Sequence, residues 1–112
     1  MVPKLLYPGG VALGLLLALG SASIAEAKPA RCFTTDDGTY SCAFETLDAK
    51  GSFQISAEGK PTFSLWIDSP GVASGSANFG DRDVALPGLY LRQSDDAACW
   101  RNNETETKIC AW

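Results

Sequence analysis

The residues with chemical potential are four cysteines, several closely spaced aspartates and a set of aromatic rings, in a chain of 112 residues that has no histidine. Without histidine there is no Ser–His–Asp, Cys–His or HExxH arrangement. Two carboxylates working as acid and base remain, and Asp36-Asp37, Asp95-Asp96 and Asp81/Asp83 are their carriers. Each pair lies in turn-type sequence, where aspartate is favoured because its side chain bonds its own backbone. The expectation is therefore a protein that is not an enzyme. Asp81-Arg82-Asp83 alternates carboxylates as a calcium loop does, but the intervening arginine and the missing downstream glutamate spoil that reading. No metal and no cofactor are expected. A formal net charge of -4 and a pI near 4.6 argue against a nucleic-acid partner, whose binding face is basic.

The cysteines carry the next piece of chemistry, and the compartment decides what it is. Lys4 is followed by the apolar run Val11–Leu19 and then by Ala25-Glu26-Ala27. A basic start, a short apolar core and a small-x-small end predict a cleavable signal peptide over 1–27. A retained anchor is the competing reading, since the uncharged stretch from Leu5 to Ala25 is long enough to span, but Pro8-Gly9-Gly10 interrupts it. The mature chain, 28–112, is then a single domain with no membrane span, periplasmic or secreted, in which the four cysteines oxidise to two disulfides. Three connectivities exist. Cys32 and Cys42 are symmetric about residue 37, with Asp36-Asp37-Gly38 as a three-residue hairpin loop. Cys99 and Cys110 are symmetric about the Glu104/Thr105 bond. Antiparallel hairpins would set Cys32 opposite Cys42 and Cys99 opposite Cys110, within disulfide reach. A link from the first pair to the last, locking the chain ends together, is the alternative.

These residues need strands to hold them. The mature part keeps five of the twelve leucines but ten of the eleven aromatic residues, which is a β composition. Ser52–Ser56 and Thr62–Ile67 alternate polar and apolar around the turn sequence Ala57–Pro61. Ser69-Pro70-Gly71 stops that hairpin. Val72–Phe79 is small and polar, an edge strand or an ordered loop. Leu89–Gln93 alternates again, and Ala97–Trp112 forms the last hairpin. The fold expected is all-β: a small antiparallel sandwich or partly closed barrel of six to eight short strands, with two hairpin disulfides.

On that framework Phe63, Leu65 and Ile67 share one face, so Trp66 points to the other. The same count turns Tyr90 away from Leu89 and Leu91, and Trp100 away from Cys99. An off-core row of Trp66, Tyr90 and Trp100 would suit a protein or glycan partner; the competing reading is a second core layer. The small-residue stretch around Ser74 and Gly75 suits a loop that enters a cleft. Asn103-Glu104-Thr105 matches the N-glycosylation sequon at a hairpin tip, although the short leader with one lysine looks bacterial.

Ala98-Cys99-Trp100 with Ile109-Cys110-Ala111-Trp112, and Gly51-Ser52-Phe53-Gln54-Ile55 after the first cysteine hairpin, resemble a group of small exported bacterial β proteins with an "ACW…ICAW" terminal hairpin. That resemblance implies an exported β domain and no particular activity. Ser74-Gly75-Ser76-Ala77-Asn78-Phe79 is also similar to the Ser-Gly-x-x-Tyr loop that periplasmic inhibitors of C-type lysozyme, small β-barrels, offer to the lysozyme cleft. The segment here is one residue longer and ends in Phe. The resemblance implies an inhibitor of a cell-wall hydrolase with Ser74 and Gly75 in the inhibitory loop. The reading preferred on the residues is an exported, non-catalytic module that binds a protein or glycan in the envelope or outside the cell.

Overall fold

In the computed structural model, residues 27–112 are described. Apart from Ala27, the expected leader lies outside them. Nine antiparallel strands follow one another: β1 (Lys28–Thr34), β2 (Gly38–Thr46), β3 (Phe53–Ser56), β4 (Thr62–Ser69), β5 (Val72–Asn78), β6 (Asp83–Ala85), β7 (Tyr90–Arg92), β8 (Cys99–Asn102) and β9 (Lys108–Ala111). They form one sheet in the order β4-β3-β2-β1-β9-β8-β7-β5-β6, and β4 also pairs with β5. That pairing closes eight strands into a barrel and leaves β6 as an extra strand on the edge of β5. The all-β expectation holds, and closure is complete in place of a sandwich or an open seam. Closing the sheet removes the unpaired edges that a sandwich would have to protect.

Both expected disulfides are present. Cys99 and Cys110 face each other directly, with Trp100 opposite Ile109, as the symmetry about Glu104/Thr105 predicts. The first hairpin differs in register. Cys32 faces Tyr40, and Cys42 faces Ala30, so the Cys32–Cys42 bridge runs diagonally across a Cα–Cα distance of 5.9 Å. The cause is the turn. Asp37 N–H donates to the Thr34 hydroxyl, Thr35 joins the loop, and Gly38 takes the left-handed conformation at its end (φ 71°). The loop centre moves from residue 37 to residue 36, which shifts the pairing by two positions and leaves both sulfurs on the inner face.

Strand alternation fills the interior with Cys32, Cys42, Phe53, Ile55, Leu65 and the rings of Tyr90 and Trp100. Two expectations are corrected here. Residues 72–78 are strand β5, paired with β4 along its length, so Ser74 and Gly75 are not in a loop. Tyr90 and Trp100 are 3% and 2% exposed and belong to the core, while Leu89 and Leu91 point outward. The reason is volume. β5 turns Ala73, Gly75 and Ala77 inward, a row too small to meet the opposite wall. The Tyr90 ring fills that space so closely that a Cβ on Gly75 would lie 2.6 Å from Tyr90 Cε2. Burying the phenol ring in place of a leucine gives the short β7 its hold on the barrel. Trp66 does point outward, 45% exposed.

Candidate functional site

Alternating strand direction sorts the loops into two ends. The far end carries the β2–β3, β4–β5 and β7–β8 connections and Trp112. It is plugged by Trp100, with the Arg92 guanidinium 4.6 Å from the ring centroid. Its aspartates hold turns together. Asp48 Oδ1 accepts the Lys50 and Ser52 amides at 2.9 and 3.1 Å, and Asp96 accepts the Ala98 amide at 3.0 Å and the Trp112 indole N–H at 3.0 Å. Hydrogen bonds from Ser52 and then Lys50 hold the Asp48 carboxyl below the usual range, and those from Ala98 and then Trp112 do the same for Asp96.

The other end is open. A cup of about 390 Å³ lies between the β1–β2, β3–β4, β5–β6, β6–β7 and β8–β9 connections. Phe63, Tyr90 and Ile109 line its inner part; Asp36, Asp37 and Phe79 stand on its rim. This volume lies within the ordinary range for ligand pockets. An eight-stranded barrel has room for its own side chains or for one small guest. One side of the cup is open because β6 pairs with β5 and has no strand on its other edge.

The wall beneath that opening is held by buried polar bonds. Asn102, 1% exposed, donates from Nδ2 to the Pro87 carbonyl at 2.8 Å and accepts the Glu104 and Thr105 amides on Oδ1 at 2.8 and 2.9 Å. Asn103 Oδ1 accepts the Leu89 amide at 2.9 Å. At the end of the β1–β9 seam, Lys108 N–H donates to Thr35 Oγ1 at 2.7 Å. These bonds fix the β1–β2 and β8–β9 tips. The Tyr40 hydroxyl, near the mouth, is buried without a partner. Burial, and next the Asp37 carboxylate, push its pKa up.

Charge is distributed unevenly between the ends. The β1–β2 loop brings Asp36 and Asp37, and β3–β4 brings Glu58 and Lys60. The β5–β6 turn brings Asp81, Arg82 and Asp83, and β8–β9 brings Glu104, Glu106 and Lys108. Seven acidic against three basic groups give the mouth a formal charge of -4, equal to that of the whole chain. The rest of the barrel carries five of each sign and is neutral.

Of the residues singled out by sequence, the structure brings Tyr90 to the cup and buries Trp100 at the far end. Trp66 lies on the outer wall opposite Ser74, whose hydroxyl donates to Asp68 at 2.6 Å. Gly75 is covered by Tyr90. The three rings do not form a common face. Sequence reasoning named Phe79, 65% exposed, only as the end of the loop-like segment, and it missed the ring of threonines Thr34, Thr35, Thr105 and Thr107 at the mouth. Strand parity could have found them, because in an antiparallel barrel every second connection emerges at the same end. Among the described residues no three His, Cys, Asp or Glu side chains gather as a metal-binding set, and no helix is long and apolar enough to cross a membrane. No family model, curated protein or solved structure matches the chain.

Proposed function

We propose that the mature chain is an exported, non-catalytic binding module that holds a protein partner at the open end of its barrel. The observation that carries this reading is the cup of about 390 Å³ with an apolar lining, set in a rim of loops on a scaffold stapled by two disulfides. Disulfides suit an oxidising compartment, in keeping with a leader that directs the chain out of the cytoplasm. A rigid, mostly apolar concavity with few polar groups is the usual form of a recognition site. The test is photo-crosslinking in the native envelope from benzoylphenylalanine placed at Thr105, on the rim, or at Trp66, on the outer wall. One discrete adduct from position 105 and none from position 66 is the expected result. Adducts from position 66 alone would move the binding face to the wall and end this reading.

Inhibition of a cell-wall hydrolase is the second reading. It is favoured by Phe79, which ends the segment that resembles the lysozyme-inhibitor loop and is the most exposed large apolar side chain of the barrel. Ser74 and Gly75 lie within β5, so Phe79 and the β5–β6 turn would be the part that enters a cleft. Titration of a C-type lysozyme should then show inhibition that Phe79→Ala abolishes; full lysozyme activity at micromolar inhibitor would remove the idea.

A further inference from the structure

We propose that the cup receives a single lysine or arginine side chain presented at a loop tip of a basic partner protein. This rests on the mouth being the binding face and adds the chemistry of what it binds. The cavity comes first: its inner lining of Phe63, Tyr90 and Ile109 offers apolar surface at a depth that suits an alkyl stem, while Asp36 and Asp37 stand at the rim where a cationic head would emerge. Lys and Arg are the side chains that bury a stem and keep a charged head in a polar environment.

Charge complementarity selects the same occupant. The mouth holds the whole net charge of the chain, and two of its three cations lie beside aspartates. Lys60 lies 3.7 Å from Asp37 and 5.5 Å from the Tyr40 ring centroid. Arg82 lies 3.8 Å from Asp81, and Lys108 sits 5.9 Å from the Phe33 ring centroid. Asp36 makes no ion pair among the described residues. An excess of one sign of charge around a cleft speeds encounter with the opposite sign, and in the lining Asp36 and Asp37 outnumber Lys108. A neutral glycan would gain nothing from that field, and an acidic partner would be repelled. The open side beside β6 gives a loop, and not only a free small molecule, room to enter.

The probes are three disulfide-cyclised hairpin peptides identical except at the tip, which carries lysine, norleucine or glutamate. They are titrated into the purified, oxidised, ¹⁵N-labelled chain. The expected result is amide shifts confined to residues around Phe63, Tyr90 and Ile109, with the lysine peptide binding at least tenfold more tightly than the norleucine peptide at low salt. That advantage should shrink severalfold in 0.3 M NaCl, and Asp36→Asn/Asp37→Asn should remove most of it. Equal binding of lysine and norleucine in the cup would overturn the basic-partner inference while leaving the mouth as a binding site. Preference for glutamate, or no shift at the cup with any peptide, would also overturn the inference. The crosslinking comparison above decides separately whether the mouth binds at all.

Discussion

At the scale of single residues, the contact between Gly75 and Tyr90 decides which way a whole strand faces. A Cβ at position 75 would meet Tyr90 Cε2 at 2.6 Å, so Gly75→Ala should destabilise the fold by about 1–3 kcal/mol, read from urea denaturation. Tyr90→Leu should also destabilise, but the two changes together should cost less than their sum, because the smaller side chain relieves the overlap. Strict additivity would mean that the ring does not occupy that space. This is also where the sequence was least legible. Two leucines flanking a tyrosine read locally as a leucine-in strand, and only the small inner face of β5, distant in the chain, reverses the choice. Trp66, by contrast, follows from parity within its own strand, because Phe63, Leu65 and Ile67 outweigh one ring. A second residue-scale prediction concerns Asp96. Its folded-state pKa is lowered, so it stabilises the fold at pH values above its ordinary value of about 3.9, and that contribution is lost as the pH falls below this toward the folded value. Trp112→Phe removes one donor and should raise the Asp96 titration midpoint, followed by ¹³C-carboxyl NMR; an unmoved midpoint would dissociate the indole from the shift.

At the scale of elements, the two cysteine hairpins look alike in sequence and differ in the fold. Loop symmetry was enough to pair the cysteines, and enough to fix the β8–β9 register, because nothing at that tip competes with the even loop. It failed for β1–β2, where the hydroxyl of Thr34 captures the Asp37 amide and the three-residue turn sits one position earlier in the chain. The consequence is energetic. Cys32 and Cys42 lie within the hydrophobic core, whereas Cys99 and Cys110 are buried outside that cluster. Closing loops of such similar length constrains the unfolded chain by about 3 kcal/mol in either case. Replacing Cys32 and Cys42 by alanine should therefore cost more than replacing Cys99 and Cys110, by the added loss of core packing, about 1–2 kcal/mol. Guanidinium melts of the two double variants measure the difference, and equal losses would count against the packing contribution.

At the scale of the whole molecule, the fold class was legible from turn spacing and aromatic content, but closure was not. The barrel closes through β4–β5 and through β1–β9, and the second of these joins strands from the two ends of the described chain. No local pattern announces such a pairing. The mouth was illegible for the same reason: its lining comes from five connections spread along the sequence, although each acidic turn was visible by itself. The seam between β1 and β9 has a further consequence. Trp112 exchanges backbone hydrogen bonds with Arg31 at 2.8 and 3.1 Å, so the described residues begin and finish at the plugged end, facing away from the cup. A short linker from Trp112 to Lys28, with the chain reopened at another point of that end between Ala49 and Lys50, should give a permuted protein whose near-ultraviolet circular dichroism matches the original. Loss of that spectrum would show that the β2–β3 connection is needed intact. The same polarity gives the barrel a stalk side and a display side: a segment fused ahead of Lys28 or after Trp112 would leave from the plugged end, with the charged opening presented outward from it.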